Sequence, residues 1–200
     1  MATSILIANA ALRKVGAKTI ASFTAGTAEA NFINQRYDEI WLWLLDLHPW
    51  NFATARKKLA QLSTAPVSEF DNYYSLPADF VRVIVVHDND SGAGLVEHKV
   101  EDNKIACSAE EVWLKYVYNV TDPNKMPPLF REALACCISI EAATDLAQSS
   151  TLREQMIESA ERAIRRARSV DGQSDFPERL PVGSWVTARS GRVRDRSWSW

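Results

Sequence analysis

Residues 129–147 have the sequence LFREALACCISIEAATDLA. Apolar side chains recur along it at three- and four-residue spacing, and alanines occupy much of the remaining surface. This pattern is typical of a helix that is covered on most sides. We therefore predict that this stretch, which begins directly after Pro127-Pro128, is the central buried helix of the fold.

Three further helical patterns accompany the central one. A first helix near residues 4–15 has Gly16 in position to end it, and a second begins near Thr27 and ends before Pro49, which cannot continue a helix. A last helix is expected to start at the capping box Thr151-Leu-Arg-Glu154, where two side chains satisfy each other's backbone amides. This helix has a narrow apolar stripe on one side and charged residues on the opposite side. We expect the charged side to be a solvated face with i,i+4 ion pairs, the alternative being a subunit contact.

The second helix carries more apolar side chains than one buried face requires. Trp43, Leu45 and Leu47 lie outside its main apolar face. Such a surplus predicts that the helix is covered on more than one side, by its own fold or by another subunit. These three residues are therefore candidates for a subunit contact.

Between about residues 58 and 120 the apolar period changes from 3.6 to 2, which predicts short strands. Residues 88–94 have loop composition, and Glu101-Asp102-Asn103 is expected to form a hairpin turn. The predicted strands cover residues 59–62, 72–76, 81–86, 95–100, 104–107 and 112–118. Together they indicate a small antiparallel β unit.

The last thirty residues, from about Asp171, have no apolar period and contain five arginines and three tryptophans. Segments that stay disordered are normally poor in aromatic residues, so these tryptophans suggest burial against a partner. We predict an α+β, mainly helical fold. It consists of an antiparallel helical bundle (residues 1–57 and 123–171), an inserted small antiparallel β domain (58–122) and an extended C-terminal arm (172–200).

Composition and motifs give no sign of catalysis or of a cofactor. The formal net charge of −2 provides no overall attraction to nucleic acid or anionic lipid, and no apolar run reaches membrane-spanning length. The 3 histidines have no spacing partner of the kind a metal site shows, and the loop after His87 departs from a calcium-loop pattern. We expect no catalytic, cofactor or metal site, three reduced buried cysteines, no membrane association and synthesis in a cytoplasm.

Several short sequence motifs, in this order, resemble phage head–tail adaptor proteins, including tail tubular protein A of short-tailed phages and related head-completion connectors. The motifs are Leu12-Arg-Lys-Val-Gly16, Pro49-Trp-Asn-Phe-Ala53 with Arg56, Tyr73-Tyr-Ser-Leu-Pro-Ala-Asp-Phe-Val-Arg82, Tyr118-Asn-Val-Thr-Asp-Pro123, Met126-Pro-Pro-Leu-Phe130 and Gly183-Ser-Trp-Val-Thr-Ala-Arg189. The resemblance spans about residues 4–190. It implies a helical docking domain with an inserted β domain and a homo-oligomeric ring, usually of twelve copies.

The same resemblance implies a place at the head–tail junction of the virion. The ring would lie beneath the portal protein, contact a tail, nozzle or stopper protein on its other side, and let packaged DNA pass through its lumen without sequence-specific binding. The arm would reach toward the portal. Its candidate partner-binding residues are Arg179, Trp185, Arg189, Arg192, Arg194, Arg196, Trp198 and Trp200.

Other interpretations of the sequence stay open. Residues 189–196 carry four arginines offset by Asp195 alone, and tryptophans follow them, so the arm could contact phosphates and stack on bases. That would make the chain a nucleic-acid-binding accessory module. An enzyme with an unrecognised site and a generic α+β interaction domain are the remaining alternatives.

Overall fold

The computed structural model describes residues 3–67, 69–90, 92 and 94–174. The described helices are α1 (Ser4–Lys14), α2 (Ala28–Asp46), α3 (Pro128–Asp145) and α4 (Ser150–Gln173). The described strands are β1 (Thr54–Lys58), β2 (Asn72–Ser75), β3 (Phe80–His87), β4 (Lys99–Glu101), β5 (Lys104–Cys107) and β6 (Trp113–Tyr118). All six strands lie between α2 and α3 in the chain. None of the described helices is long and apolar enough to span a membrane.

The fold is α+β with two three-stranded antiparallel sheets, ordered β1-β6-β3 and β2-β5-β4. The prediction of a mainly helical bundle with one small β domain is therefore wrong, since helices account for 46% and strands for 19% of the described residues. The second sheet was missed because a period of two identifies strands but not which strands pair. Pairing is decided by tertiary packing.

Individual strands agree with the sequence pattern with two exceptions. The predicted strand at 59–62 is wrong, because the first strand is Thr54–Lys58 and pairs with β6 along its whole length. Its three lysine and arginine residues leave no alternating apolar signal. The strand predicted at 95–100 is also shorter and later than expected, at Lys99–Glu101. The hairpin turn is confirmed, since Asp102 and Asn103 both have positive φ, at 45° and 57°.

The helix ends follow capping chemistry, with one shift from the prediction. Gly16 has φ +72° and the Ala17 N–H donates to the Leu12 carbonyl at 3.0 Å, which confirms the predicted end of α1. The predicted capping box at Thr151 is wrong. α4 is capped by Ser149, whose hydroxyl accepts from the Leu152 N–H at 3.2 Å, so Thr151 lies inside the first turn.

The main core forms around α3, which packs on α1, α2 and α4. Ala133, Leu134, Ile138 and Ala142 have no exposed surface, so the prediction of a buried central helix is confirmed. The three cysteines are free and buried, as predicted, and burial raises the pKa of Cys137 to about 12.

A second, smaller core joins the two sheets. It contains Leu59, Tyr74, Val86, Ile105, Cys107, Val112, Leu114 and Tyr116.

Candidate functional site

The predicted partner-binding residues of the arm all lie outside the described residues. They are Arg179, Trp185, Arg189, Arg192, Arg194, Arg196, Trp198 and Trp200. The structure does place the point where this segment begins. α4 continues to Gln173, and Ser174 caps it through its backbone N–H. Asp171, near which the arm was predicted to start, is thus a helical residue.

The three candidate contact residues of α2 have different environments. Trp43 is 53% exposed, Leu45 is completely buried, and Leu47 is half-buried against the main core. The difference follows from helix geometry, because residues two positions apart differ by about 200° around the axis. Leu45 is therefore a core residue of this chain, and Trp43 is the side chain of the three that is placed to meet a partner.

Trp43 borders a groove of about 500 Å³ between α2, α3 and α4. Ile40 contributes to its wall from α2, Ile140 from α3, and Ile157 and Ile164 from α4. Residues 157 and 164 are seven apart, or about two turns, so both face the same side of α4. The groove is thus an apolar channel with an exposed indole at its edge.

The apolar pattern of α4 alone does not identify this groove. The narrow stripe predicted for α4 contains Met156 and Ala163 but not the isoleucines that directly follow each of them. Ile157 and Ile164 widen that stripe by one helical position, which is the signal that was available. The apolar stripe of α4 is therefore wider than predicted on the side toward α2.

Acidic side chains surround the groove. Glu39, Glu141 and Glu161 line it together with a single arginine, Arg36. Arg36 lies between two of these acids, 2.8 Å from Glu39 and 3.0 Å from Glu141. Glu161 forms the predicted i,i+4 pair with Arg165 at 3.4 Å, and such exposed pairs are weak. One arginine against three glutamates gives the lining a formal net charge of −2.

The end of α4 is fixed to the connection between α2 and β1. The Asp171 carboxylate accepts the Asn51 backbone N–H at 3.1 Å, and the Asn51 side-chain amide donates to the Asp171 carbonyl at 2.9 Å. One turn earlier, Arg168 donates to the Leu47 carbonyl at 2.8 Å. These hydrogen bonds fix the position and direction of the helix from which residues 175–200 continue.

The Pro49-Trp-Asn-Phe-Ala53 motif is a structural joint. The Trp50 indole is 1% exposed and its Nε1–H donates to the Leu44 carbonyl at 2.8 Å. The ring of Phe130 meets it edge to face, with the centroids 4.9 Å apart. Trp50 therefore ties the end of α2 to the start of α3, and its role lies in the fold of this chain.

His48 makes this joint sensitive to pH. Burial lowers the pKa of His48 below 6.5, and the Asp171 carboxylate, 3.5 Å from Nε2, opposes that shift, whereas Arg168 and Arg82 reinforce it. As the pH falls, the imidazole of His48 is protonated in the unfolded chain before it is protonated in the folded chain. Neutral His48 therefore contributes to stability above pH 6.5. This contribution is lost as the pH falls below 6.5 and through the lower pKa of the folded state.

We expect His48→Gln to flatten the pH profile of stability in this range. Urea unfolding of both proteins between pH 8 and pH 5 measures the effect, since the free energy of unfolding of the native chain should fall relative to that of the variant as the pH is lowered. Parallel pH profiles for the two proteins contradict the assignment.

The remaining histidines and the acidic loop have local structural contacts. His87 Nδ1 lies 3.2 Å from the Gly94 carbonyl, and the Asp88 N–H donates to the same carbonyl at 3.2 Å, which closes the loop that the sequence predicts. Nδ1 of His98 lies 2.9 Å from the Val96 carbonyl. Within the described residues no group of three or more His, Cys, Asp or Glu side chains is arranged to hold a metal ion.

Comparison with known proteins leaves the family open. The chain matches no protein-family model, and no curated protein matches its sequence at a significant level.

Proposed function

We propose that this chain is a structural virion protein, a subunit of the ring that joins the DNA-filled head of a phage to its tail beneath the portal. The positions of the adaptor-like motifs in the fold are the observation that supports this proposal. Leu12 to Gly16 ends α1, Trp50 joins α2 to α3, residues 73–82 cover β2 to β3, and residues 126–130 lead into α3. The resemblance therefore involves the helical core and both sheets, and is not confined to one segment.

The proposed mechanism is assembly. Arginine side chains of residues 175–200 would pair with acidic or backbone acceptors on the portal, and the tryptophans would enter apolar pockets there. The helix that precedes this segment is fixed by Asp171 and Asn51, so the segment starts from a rigid point. Contacts that are weak in one copy become strong when a closed ring repeats them, because later copies bind at a high effective concentration.

Co-sedimentation with purified heads tests the proposal. The full chain should pellet with heads that carry a portal and stay in solution with heads that lack one. Binding should require the portal at every salt concentration used. The alternative result is that the chain does not bind the portal but binds single-stranded DNA, with an affinity that falls steeply as salt is added. That result would identify a nucleic-acid-binding module instead.

A further inference from the structure

We propose that Phe176 packs into a pocket between the end of α4 and the start of α3 of the same copy, with its ring against Val170. Residues 175–177 have the sequence DFP and directly follow the cap of α4. This contact would anchor the first residues of the arm and leave residues 178–200, which include all the candidate partner-binding residues, to meet a partner. It involves one copy alone and does not depend on binding to a portal.

The pocket is apolar and has room for a phenyl ring. Its volume is about 190 Å³. A cavity of about 150 Å³ is already large enough to hold benzene. The rings of Trp50 and Phe130, each 1% exposed, contribute to the lining. Among the described residues that line the pocket, Asp171 is the one with a charged side chain, and its carboxylate is hydrogen-bonded to the Asn51 backbone. An apolar side chain can therefore fill the pocket without burying an unpaired charge.

The chain leaves α4 at the edge of this pocket. Ser174, which caps α4, and Val170, about one turn earlier, both line it. Phe176 is the first apolar residue after the helix and lies two positions beyond Ser174. Its Cα can therefore be no more than about 7 Å from the Cα of Ser174. This short connection keeps Phe176 close to the pocket in every conformation of the arm.

The chemistry of the helix end favours a turn toward the pocket. A residue that precedes proline is disfavoured in the helical conformation, so Pro177 prevents Phe176 from continuing α4. At helix C-termini the second residue after the cap frequently makes an apolar contact with the last turn. With Ser174 as the cap, that pair is Phe176 and Val170. Val170 is 46% exposed, so it has apolar surface available for the contact.

A docked Phe176 would set the direction of the arm. The pocket is also lined by Pro127, Pro128 and Leu129 at the start of α3. The chain would therefore leave α4 sideways toward α3 instead of continuing along the axis of α4. A fixed starting direction reduces the conformational freedom that the arm loses when it binds a partner, which favours binding.

A double-mutant cycle on the full chain tests the contact. Urea unfolding gives the unfolding equilibrium constants of the native chain, Phe176→Ala, Val170→Ala and the double variant. We expect Phe176→Ala to raise this constant about tenfold in the native background, because it exposes a large apolar side chain's docking surface, and about threefold or less when Val170 is already alanine. Leu180→Ala, an apolar truncation four residues further along the segment, is the matched control and should leave the constant unchanged.

Nuclear Overhauser contacts identify the copy that supplies the ring. In a chain with ¹³C-labelled valine methyl groups, the Val170 methyl signals are those missing from Val170→Ala. They should show contacts to aromatic protons that disappear in Phe176→Leu. A mixture of methyl-labelled chains containing deuterated phenylalanine with unlabelled chains reports contacts between copies alone, and it should show none at Val170.

Four results overturn the inference. They are additive effects of the two substitutions, an effect of Phe176→Ala no larger than that of Leu180→Ala, no Phe176-dependent contact at Val170, and a contact that appears in the mixture of two kinds of chain. None of these measurements uses phage heads, so their outcome is independent of the co-sedimentation test of the proposed function.

Discussion

Replacement of Trp50 by alanine is expected to lower the free energy of unfolding by about 3–5 kcal/mol, the usual cost of deleting a large buried aromatic side chain. The indole is 1% exposed, contacts Phe130 edge to face, and donates to the Leu44 carbonyl. Its loss leaves a cavity where α2, the turn at 51–53 and α3 meet, together with a buried carbonyl that has lost its donor. Urea unfolding followed by circular dichroism measures the change.

Two matched variants separate the parts of this effect. Trp43→Ala removes the same side chain from an exposed position and should change stability by less than about 1 kcal/mol. Trp50→Phe keeps an aromatic ring but removes the hydrogen bond to Leu44, so its cost should lie between those of the two alanine variants. A Trp50→Ala protein about as stable as Trp43→Ala would mean that the joint does not hold the helices together.

Removal of residues 175–200 is expected to weaken attachment to portal-bearing heads by about two orders of magnitude or more while the fold is retained. Anchor residues of the Trp and Arg type each contribute a large part of a binding energy, and the loss is multiplied around a ring. The chain should end at Ser174, because ending it before Asp171 also removes the contacts to Asn51 and His48. Quantitative co-sedimentation gives the change in apparent Kd.

A graded variant distinguishes specific docking from simple charge attraction. Replacing Arg192, Arg194 and Arg196 by lysine keeps the charge but removes the planar guanidinium groups that bind carboxylates through two hydrogen bonds. We expect this protein to bind portal-bearing heads more weakly than the native chain and more strongly than the shortened one. Equal binding by the shortened and full chains contradicts a docking role for the segment.

Local signals in the sequence predict most of the elements. The positive φ of Gly16 at the end of α1, the Thr27 cap of α2 and the Asp102-Asn103 turn each depend on a few neighbouring residues, and each agrees with its prediction. The buried character of α3 follows likewise from its composition. These features are predictable because the residue types that form them are chemically restricted.

What was missed depends on contacts that are distant in sequence. β1 is polar and becomes a strand because β6 pairs with it, and the separation of six strands into two sheets is set by packing. The surplus of apolar residues on α2 does not show which of them the same chain buries. The sequence alone therefore does not distinguish Leu45, which is buried, from Trp43, which is exposed. The groove is formed by three helices together, so the apolar pattern of one helix does not predict it.

Electron microscopy of tail-less, portal-bearing heads after addition of the purified protein tests the adaptor proposal most directly. Averaged images of the portal vertex should show an added ring of density beneath the portal, with rotational symmetry and about twelve copies of the chain, the number that the family resemblance implies. The same heads with the chain that ends at Ser174 should lack this ring. A portal vertex that looks the same with and without the full chain, under conditions where the protein is folded and in excess, contradicts the account.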